Sequence, residues 1–163
     1  MEETLLTLLA LQGVLGGIDT LLNHELLARL PQRPEARLEV ALHACREFLY
    51  GVLFLGLAWW SWQGAWALLP ALLLGLQIAV DAFDEAVENK TRVLPQNERL
   101  LHFGITVNLG LICASLAMVL WNWSGQATAL MPADHGVLSW ILSALGVAAL
   151  GWAGRDLRAW RQL

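Results

Sequence analysis

Five stretches of the chain are long, apolar and nearly free of charge, at residues 5–22, 48–60, 66–80, 105–120 and 137–153. About 20 apolar residues in a helix cross a roughly 30 Å hydrocarbon core, and the polar flanks of these stretches continue the same helices. The pattern therefore predicts helices over about 3–30, 35–62, 65–92, 96–123 and 135–161. Proline marks two of the breaks. Pro31 and Pro34 end the first helix and start the second, and Pro95 separates the third from the fourth, because proline fits a first helical turn but not a helix interior. Both of these connections are short, which predicts that consecutive helices are antiparallel neighbours in a bundle. Gly13 and Gly17 stand four apart with Gly16 beside them, a spacing expected at a close helix–helix contact. No linker, second composition regime or internal repeat interrupts the 163 residues, so one domain is expected.

Composition turns these helices into membrane spans. Apolar residues are 57% of the chain and charged ones 15%, and the mean hydropathy is +0.53. A soluble domain of this size needs a more polar shell. The fold class expected is all-α, an integral membrane bundle of five transmembrane helices. The first span opens on Glu2-Glu3, without the positive flank or small-residue cleavage site of a signal peptide, and is expected to stay in the protein. Cys45 and Cys113 fall on separate spans, so neither a disulfide nor a thiolate metal site is expected.

Charge gives the orientation. All ten basic residues lie around the first turn (Arg29, Arg33, Arg37, Arg46), around the third (Lys90, Arg92, Arg99) or at the C-terminus (Arg155, Arg158, Arg161). Basic residues collect on the cytoplasmic side, which puts the N-terminus outside and the C-terminus in the cytoplasm of a multi-pass protein of the bacterial inner membrane. Seven of nine tryptophans (Trp59, Trp60, Trp62, Trp66, Trp121, Trp123, Trp140) then form a belt at the outer interface. The lipid bilayer is the partner this predicts; no nucleic-acid partner is expected.

The candidate chemistry lies at the inner end of helices one to four. Helix one carries Asp19, Asn23, His24 and Glu25; helix two Glu39, His43, Arg46 and Glu47; helix three Asp81, Asp84, Glu85 and Glu88; helix four Glu98 and His102. At about 1.5 Å per residue, His43, Asp84 and His102 lie about 24–28 Å below Trp59, Trp66 and Trp121, and His24 about 28 Å along helix one from Leu5. Four helices thus bring ionisable side chains to one layer. Residues four apart share a helix face, which joins Glu39 to His43, Asp84 to Glu88 and Glu98 to His102. On an α-helical first segment Asp19 and Asn23 share a face, whereas His24 and Glu25 project about 100° and 200° away, so they are not expected to point inward together.

Carboxylates held out of water must be paired, neutralised or bound to a cation. Arg46 and Arg92 can pair with some of them, which leaves a salt-bridged polar cluster as one reading. A metal accounts for the histidines as well, since carboxylate and imidazole suit iron, manganese or zinc. Glu39, His43, Glu98, His102, Asp84, Glu88, Glu25, His24 and Asp19 are the candidate metal ligands. Glu47, Asp81 and Glu85 are expected in supporting pairs, and His135 in a solvated loop. No catalytic residue and no organic cofactor site can be singled out.

The ligand order resembles that of ferritin-like di-metal carboxylate bundles: Glu25 or Asp19, then Glu39 with His43, then Asp84 or Glu88, then Glu98 with His102. Those four-helix bundles space their pairs three residues apart, and here the spacing is four. The runs Asp19-Thr20 … His24-Glu25, Arg33-Pro34, Leu42-His43-Ala44, and Thr91 to Pro95 with Glu98 to His102 are also similar to a group of small bacterial multi-span membrane proteins, a resemblance that implies no activity.

The function expected from these observations is a dinuclear iron or manganese oxidoreductase working on a lipid, a quinone or another apolar substrate at the cytoplasmic interface. Two metal ions are the cofactors expected, iron or manganese ahead of zinc. The chain carries no flavin, nicotinamide or iron–sulfur motif, so a separate cytoplasmic electron donor would be its partner. Other classes stay open: a di-zinc hydrolase using metal-bound hydroxide, haem held between histidines, and a non-catalytic subunit of a larger membrane complex. A through-pathway for ions fits less well, because the acids gather at one end.

Overall fold

The computed structural model describes residues 1–163 and is an all-α protein of five long helices. Helix α1 runs Glu2–Asp19 and continues as π-helix through Thr20–Ala28; α2 is Arg37–Trp59, α3 Leu68–Thr91, α4 Gln96–Ser124 and α5 Val137–Gln162. Short 3₁₀ turns carrying Pro31 and Pro34 join α1 to α2, and Pro95 sits directly before α4. All five helices are long and apolar enough to cross a membrane. Their outward faces carry large exposed side chains such as Leu26, Leu72, Phe103 and Val147, as lipid-facing surfaces do.

The turns at the tryptophan-rich end contain a feature with no sequence forewarning. Strands β1 (Trp60–Gln63) and β2 (Ala129–Pro132) pair antiparallel, with Trp60 opposite Pro132 and Gln63 opposite Ala129, and tie the α2–α3 turn to the α4–α5 loop. Gly64 closes the ribbon at φ +58°, where a Cβ would lie 2.5 Å from Thr128, so only glycine fits. The indole rings divide their roles. Trp121 and Trp140 are exposed, while Trp123 is buried and donates to Glu2 Oε1 at 2.9 Å.

Beneath the ribbon lies an apolar core that includes Leu5, Leu9, Leu53, Phe54, Ile112, Leu116 and Leu142. Helix order in space differs from order in sequence. Helix α2 packs most closely on α5 and also on α3, and α1 packs on α4 and α5. The expected adjacency of α1 with α2 and of α3 with α4 is corrected, since these pairs touch only slightly.

The four-helix bundle inferred from the ligand order is likewise corrected: the bundle has five helices, and the fifth is integral to it. Its contact with α2 is the tightest in the molecule, because glycines face each other. A Cβ on Gly51 would stand 2.7 Å from Leu150 Cγ and 3.1 Å from the Gly146 carbonyl. Small residues permit such close backbone approach between membrane helices. The glycines of α1 behave otherwise than expected. Gly13 does abut Phe54 and Leu145, but Gly16 and Gly17 face open space.

Candidate metal centre

The site begins with the change of helix type after Asp19. Hydrogen bonds of i→i+5 pattern widen the π-helix, so residues five apart come onto one face. Asp19, Asn23 and His24 are all buried, at 1–2% exposure. Not all of the helix-one residues point inward, since Glu25 stands apart with Arg155, but the wider turn brings His24 in beside Asp19, which α geometry would not. Arg29 ends the segment at φ 54°, a left-handed cap for which glycine is the usual residue. Asn23 steadies the turn by donating to Asp19 Oδ1 at 2.7 Å and accepting from Asn97 at 2.9 Å.

Four side chains from α1, its π-helical extension and α4 converge there. Ligand atoms of Asp19, His24, Glu98 and His102 all lie within 4.8 Å of one another. Asp19 Oδ2 is 3.1 Å from His102 Nε2 and 3.4 Å from His24 Nε2, and His24 Nε2 is 3.6 Å from Glu98 Oε1. Metal–ligand bonds of about 2.1 Å separate neighbouring ligand atoms by about 3.0–3.5 Å, so the spacing is close to what one ion could bridge. Glu85, Glu88 and His102 form a second group. His102 Nδ1 lies 3.8 Å from Glu85 Oε2 and 3.7 Å from Glu88 Oε2. One imidazole therefore turns a different nitrogen toward each group.

The histidines across the cleft are coupled. The His24 and His43 rings stack with centroids 4.2 Å apart, and their Nδ1 atoms meet at 3.0 Å. That contact holds one proton, so one ring donates and the other accepts. With both rings neutral, the donor ring has a bare lone pair on its Nε2. If His43 donates, the lone pair faces Asp84 Oδ2 at 3.1 Å. If His24 donates, it faces Asp19 and Glu98. Either arrangement sets a lone pair against a carboxylate, and Nε2 of both rings is buried without a hydrogen-bond partner. A cation between them, a metal ion or one further proton, would satisfy that lone pair.

The surrounding charges are arranged by two arginines. Arg92 reaches three helices: its Nε donates to Glu39 Oε1 at 3.2 Å, its Nη1 and Nη2 to the two oxygens of Glu98 at 2.8 and 2.6 Å, and its Nη2 also to Glu88. Burial alone would lower the pKa of this guanidinium, but the Glu98 hydrogen bonds and the charges of Glu88 and Glu39 outweigh it and raise the pKa above its ordinary value. Arg46 Nη1 donates to Asp84 Oδ2 at 3.2 Å. Asp19, Glu39, Asp84, Glu88 and Glu98 are thus five buried carboxyl groups facing two guanidiniums, which leaves three without a fixed countercharge.

The nine expected ligands are therefore distributed unequally. Asp19, His24, Glu98 and His102 stand together, with Glu88 beside His102 in the second group. His43 and Asp84 pair with each other at the edge of the first group. Glu39 turns to Arg92. Glu25 lies apart, held with Asp156 by Arg155 of α5. Glu85, half exposed at 56%, joins the second group although its position pointed to a supporting pair. A five-residue spacing read on a π-helix would have singled out Asp19 and His24. No sequence signal foretells the three-way reach of Arg92.

What the arrangement offers is two neighbouring groups of oxygen and imidazole donors that share His102 and are able to coordinate metal ions, the first largely buried and the second partly exposed, in a protein of membrane-spanning dimensions. No protein-family model, no curated protein and no solved structure matches the chain. The resemblances noted in the sequence thus rest on the quoted residues alone.

Proposed function

We propose that the chain is a single-domain, multi-pass protein of the bacterial inner membrane, N-terminus outside and C-terminus cytoplasmic, that holds two metal ions and works as an oxidoreductase on an apolar substrate. The observation that carries this reading is the unpartnered Nε2 of His24, 2% exposed, aimed among Asp19, Glu98 and His102. A proton there would leave further carboxylates unmatched; divalent ions supply the missing charge and use the lone pair. Asp19, His24, Glu98 and His102 would hold the first ion, and His102, Glu88 and Glu85 the second. His43 and Asp84 would steady the first through the stacked imidazole.

A carboxylate-rich donor set with histidine favours iron or manganese, which supply one-electron redox chemistry when bound. The protein's part is to hold them, with Arg92 and Arg46 restraining the remaining carboxylates. Electrons would come from a cytoplasmic partner, and a larger membrane complex is one setting for that exchange. The test is metal analysis by inductively coupled plasma mass spectrometry on protein purified in detergent. The expected result is about two equivalents of iron or manganese, lost in His24→Ala and His102→Ala but retained in Trp140→Phe. Zinc in both sites would assign hydrolytic chemistry instead. Metal-free protein of undiminished stability would reject the reading and leave the extra proton as the cation.

A further inference from the structure

A cavity of about 860 Å³ opens from the candidate metal centre into the apolar interior, and the reading above leaves its occupant undefined. Asp19, Asp84 and His102 form its polar end, and Gln12, Gly13 and Phe54 its apolar one. Asp19 and Gln12 are seven residues apart on α1, which sets a depth of about 10 Å. Its rim includes Leu21, Ile78 and Phe103, which are exposed side chains within membrane-length helices. The mouth therefore faces lipid, and a ligand enters from the bilayer. Gly16 and Gly17 line the wall with nothing within 4 Å of where a Cβ would stand. Their want of side chains contributes to the space.

One hydrogen-bond donor in that wall has no protein acceptor. Asn108 Nδ2 donates to the Leu8 carbonyl at 2.9 Å, and since a carbonyl only accepts, the orientation of this amide is fixed. The same Nδ2 donates to Gln12 Oε1 at 2.7 Å, which leaves Gln12 Nε2 to donate to the Tyr50 oxygen at 3.0 Å. Tyr50 is thereby an acceptor from Gln12, and its own O–H is free to serve the cavity. Trp152 also lines the cavity with its ring, while its indole N–H is buried away from it. The charged side chains at the polar end are six carboxyl groups, Asp81 and Glu85 among them, against the guanidiniums of Arg46 and Arg99. A fatty acid or phospholipid headgroup would meet like charge there. What fits is neutral, carries an acceptor oxygen for Tyr50, and presents a flat ring to the aromatic wall, where Tyr50 and Phe54 lie 5.5 Å apart.

We infer that the cavity binds a quinone-type amphiphile, one ring oxygen on the Tyr50 hydroxyl, its ring against the aromatic wall and its tail leaving through the lipid-facing mouth. This deepens the reading above by naming the class of apolar ligand; it rests on that reading for what the bound molecule does, but not for the binding itself. The test uses full-length protein in lipid nanodiscs, titrated with a benzoquinone bearing a decyl chain and followed by tryptophan fluorescence quenching. Saturable quenching is expected, with a smaller amplitude in Trp152→Phe. Tyr50→Phe should weaken binding about fivefold, the worth of one hydrogen bond, and Gly16→Leu should abolish it by filling the wall. Decanoic acid should not compete.

Equal affinity in wild type, Tyr50→Phe and Gly16→Leu, or competition by decanoic acid at matching concentration, overturns the inference. Metal content is measured on the same preparations. Metal-free protein that still binds the quinone through Tyr50 upholds this inference and sinks the metal reading, and metal-loaded protein that does not bind it does the reverse.

Discussion

Replacing Arg92 by Gln tests the electrostatic account directly, because one side chain balances three buried carboxylates. The guanidinium is 11% exposed, and its partners Glu39, Glu88 and Glu98 are 1–2% exposed. Glutamine keeps a donor but removes the charge and the fork. Removing one partner from a buried ion pair costs about 3–5 kcal/mol, since the other is left uncompensated. For a chain of this size each kcal/mol moves the midpoint by about 2–4 °C, so Tm should fall by about 6–20 °C. The assay is thermal unfolding of purified Arg92→Gln against wild type in one detergent, with chelator and with manganese. Chelated protein should show the full loss. Manganese should restore more than half of it, because divalent ions held by Glu98 and Glu88 supply positive charge in place of the guanidinium. A midpoint within about 2 °C of wild type under chelation would refute the reasoning, and so would a loss that manganese leaves untouched.

Three further perturbations address the frame. Deleting Leu22, an exposed residue of the π-helical turns, should preserve metal content, because Asp19 and His24 then stand four apart on an ordinary α-helix; deleting Leu21 and Leu22 together should abolish it, and metal analysis of the two proteins decides. Gly51→Ala should destabilise by about 1–3 kcal/mol in thermal unfolding, as its methyl group would strike Leu150 and approach the Gly146 carbonyl. Arg29→Gly should stabilise by about 1 kcal/mol in the same assay by relieving a left-handed backbone on a residue with a Cβ, and a lower midpoint would count against the cap.

Much of the frame was legible because bilayer and proline chemistry are local. The five long helices follow from apolar length, and the breaks at Pro31, Pro34 and Pro95 lie where the ring forbids continuation. Depth along each helix was legible too, since it needs only residue counting, which places His24, His43, Asp84 and His102 in one layer. Rotation about each helix was less legible. Glu39 and His43 share a face by count, yet one turns to Arg92 and the other to Asp84, because four residues fall about 40° beyond a full turn and two different neighbours wait there. The π-helical turns escaped for a related reason: helix type was assumed, and His24 was assigned the wrong bearing. The fifth helix was underrated because its polar content is slight. Its place is secured by the glycine contact between α2 and α5, which only facing helices reveal.

The wide turn between Asp19 and His24 bears on how relatives of this chain should be recognised. A π-helical segment is what one inserted residue makes of an α-helix, so a chain lacking that residue would present the same aspartate and histidine side by side. Inside a membrane helix, a one-residue gap is ordinarily taken as a sign of misalignment. Here it would be neutral, and a signature that fixes the spacing at five would discard genuine kin. The invariant to seek is a shared face, with the number of residues between the two ligands free to be three or four.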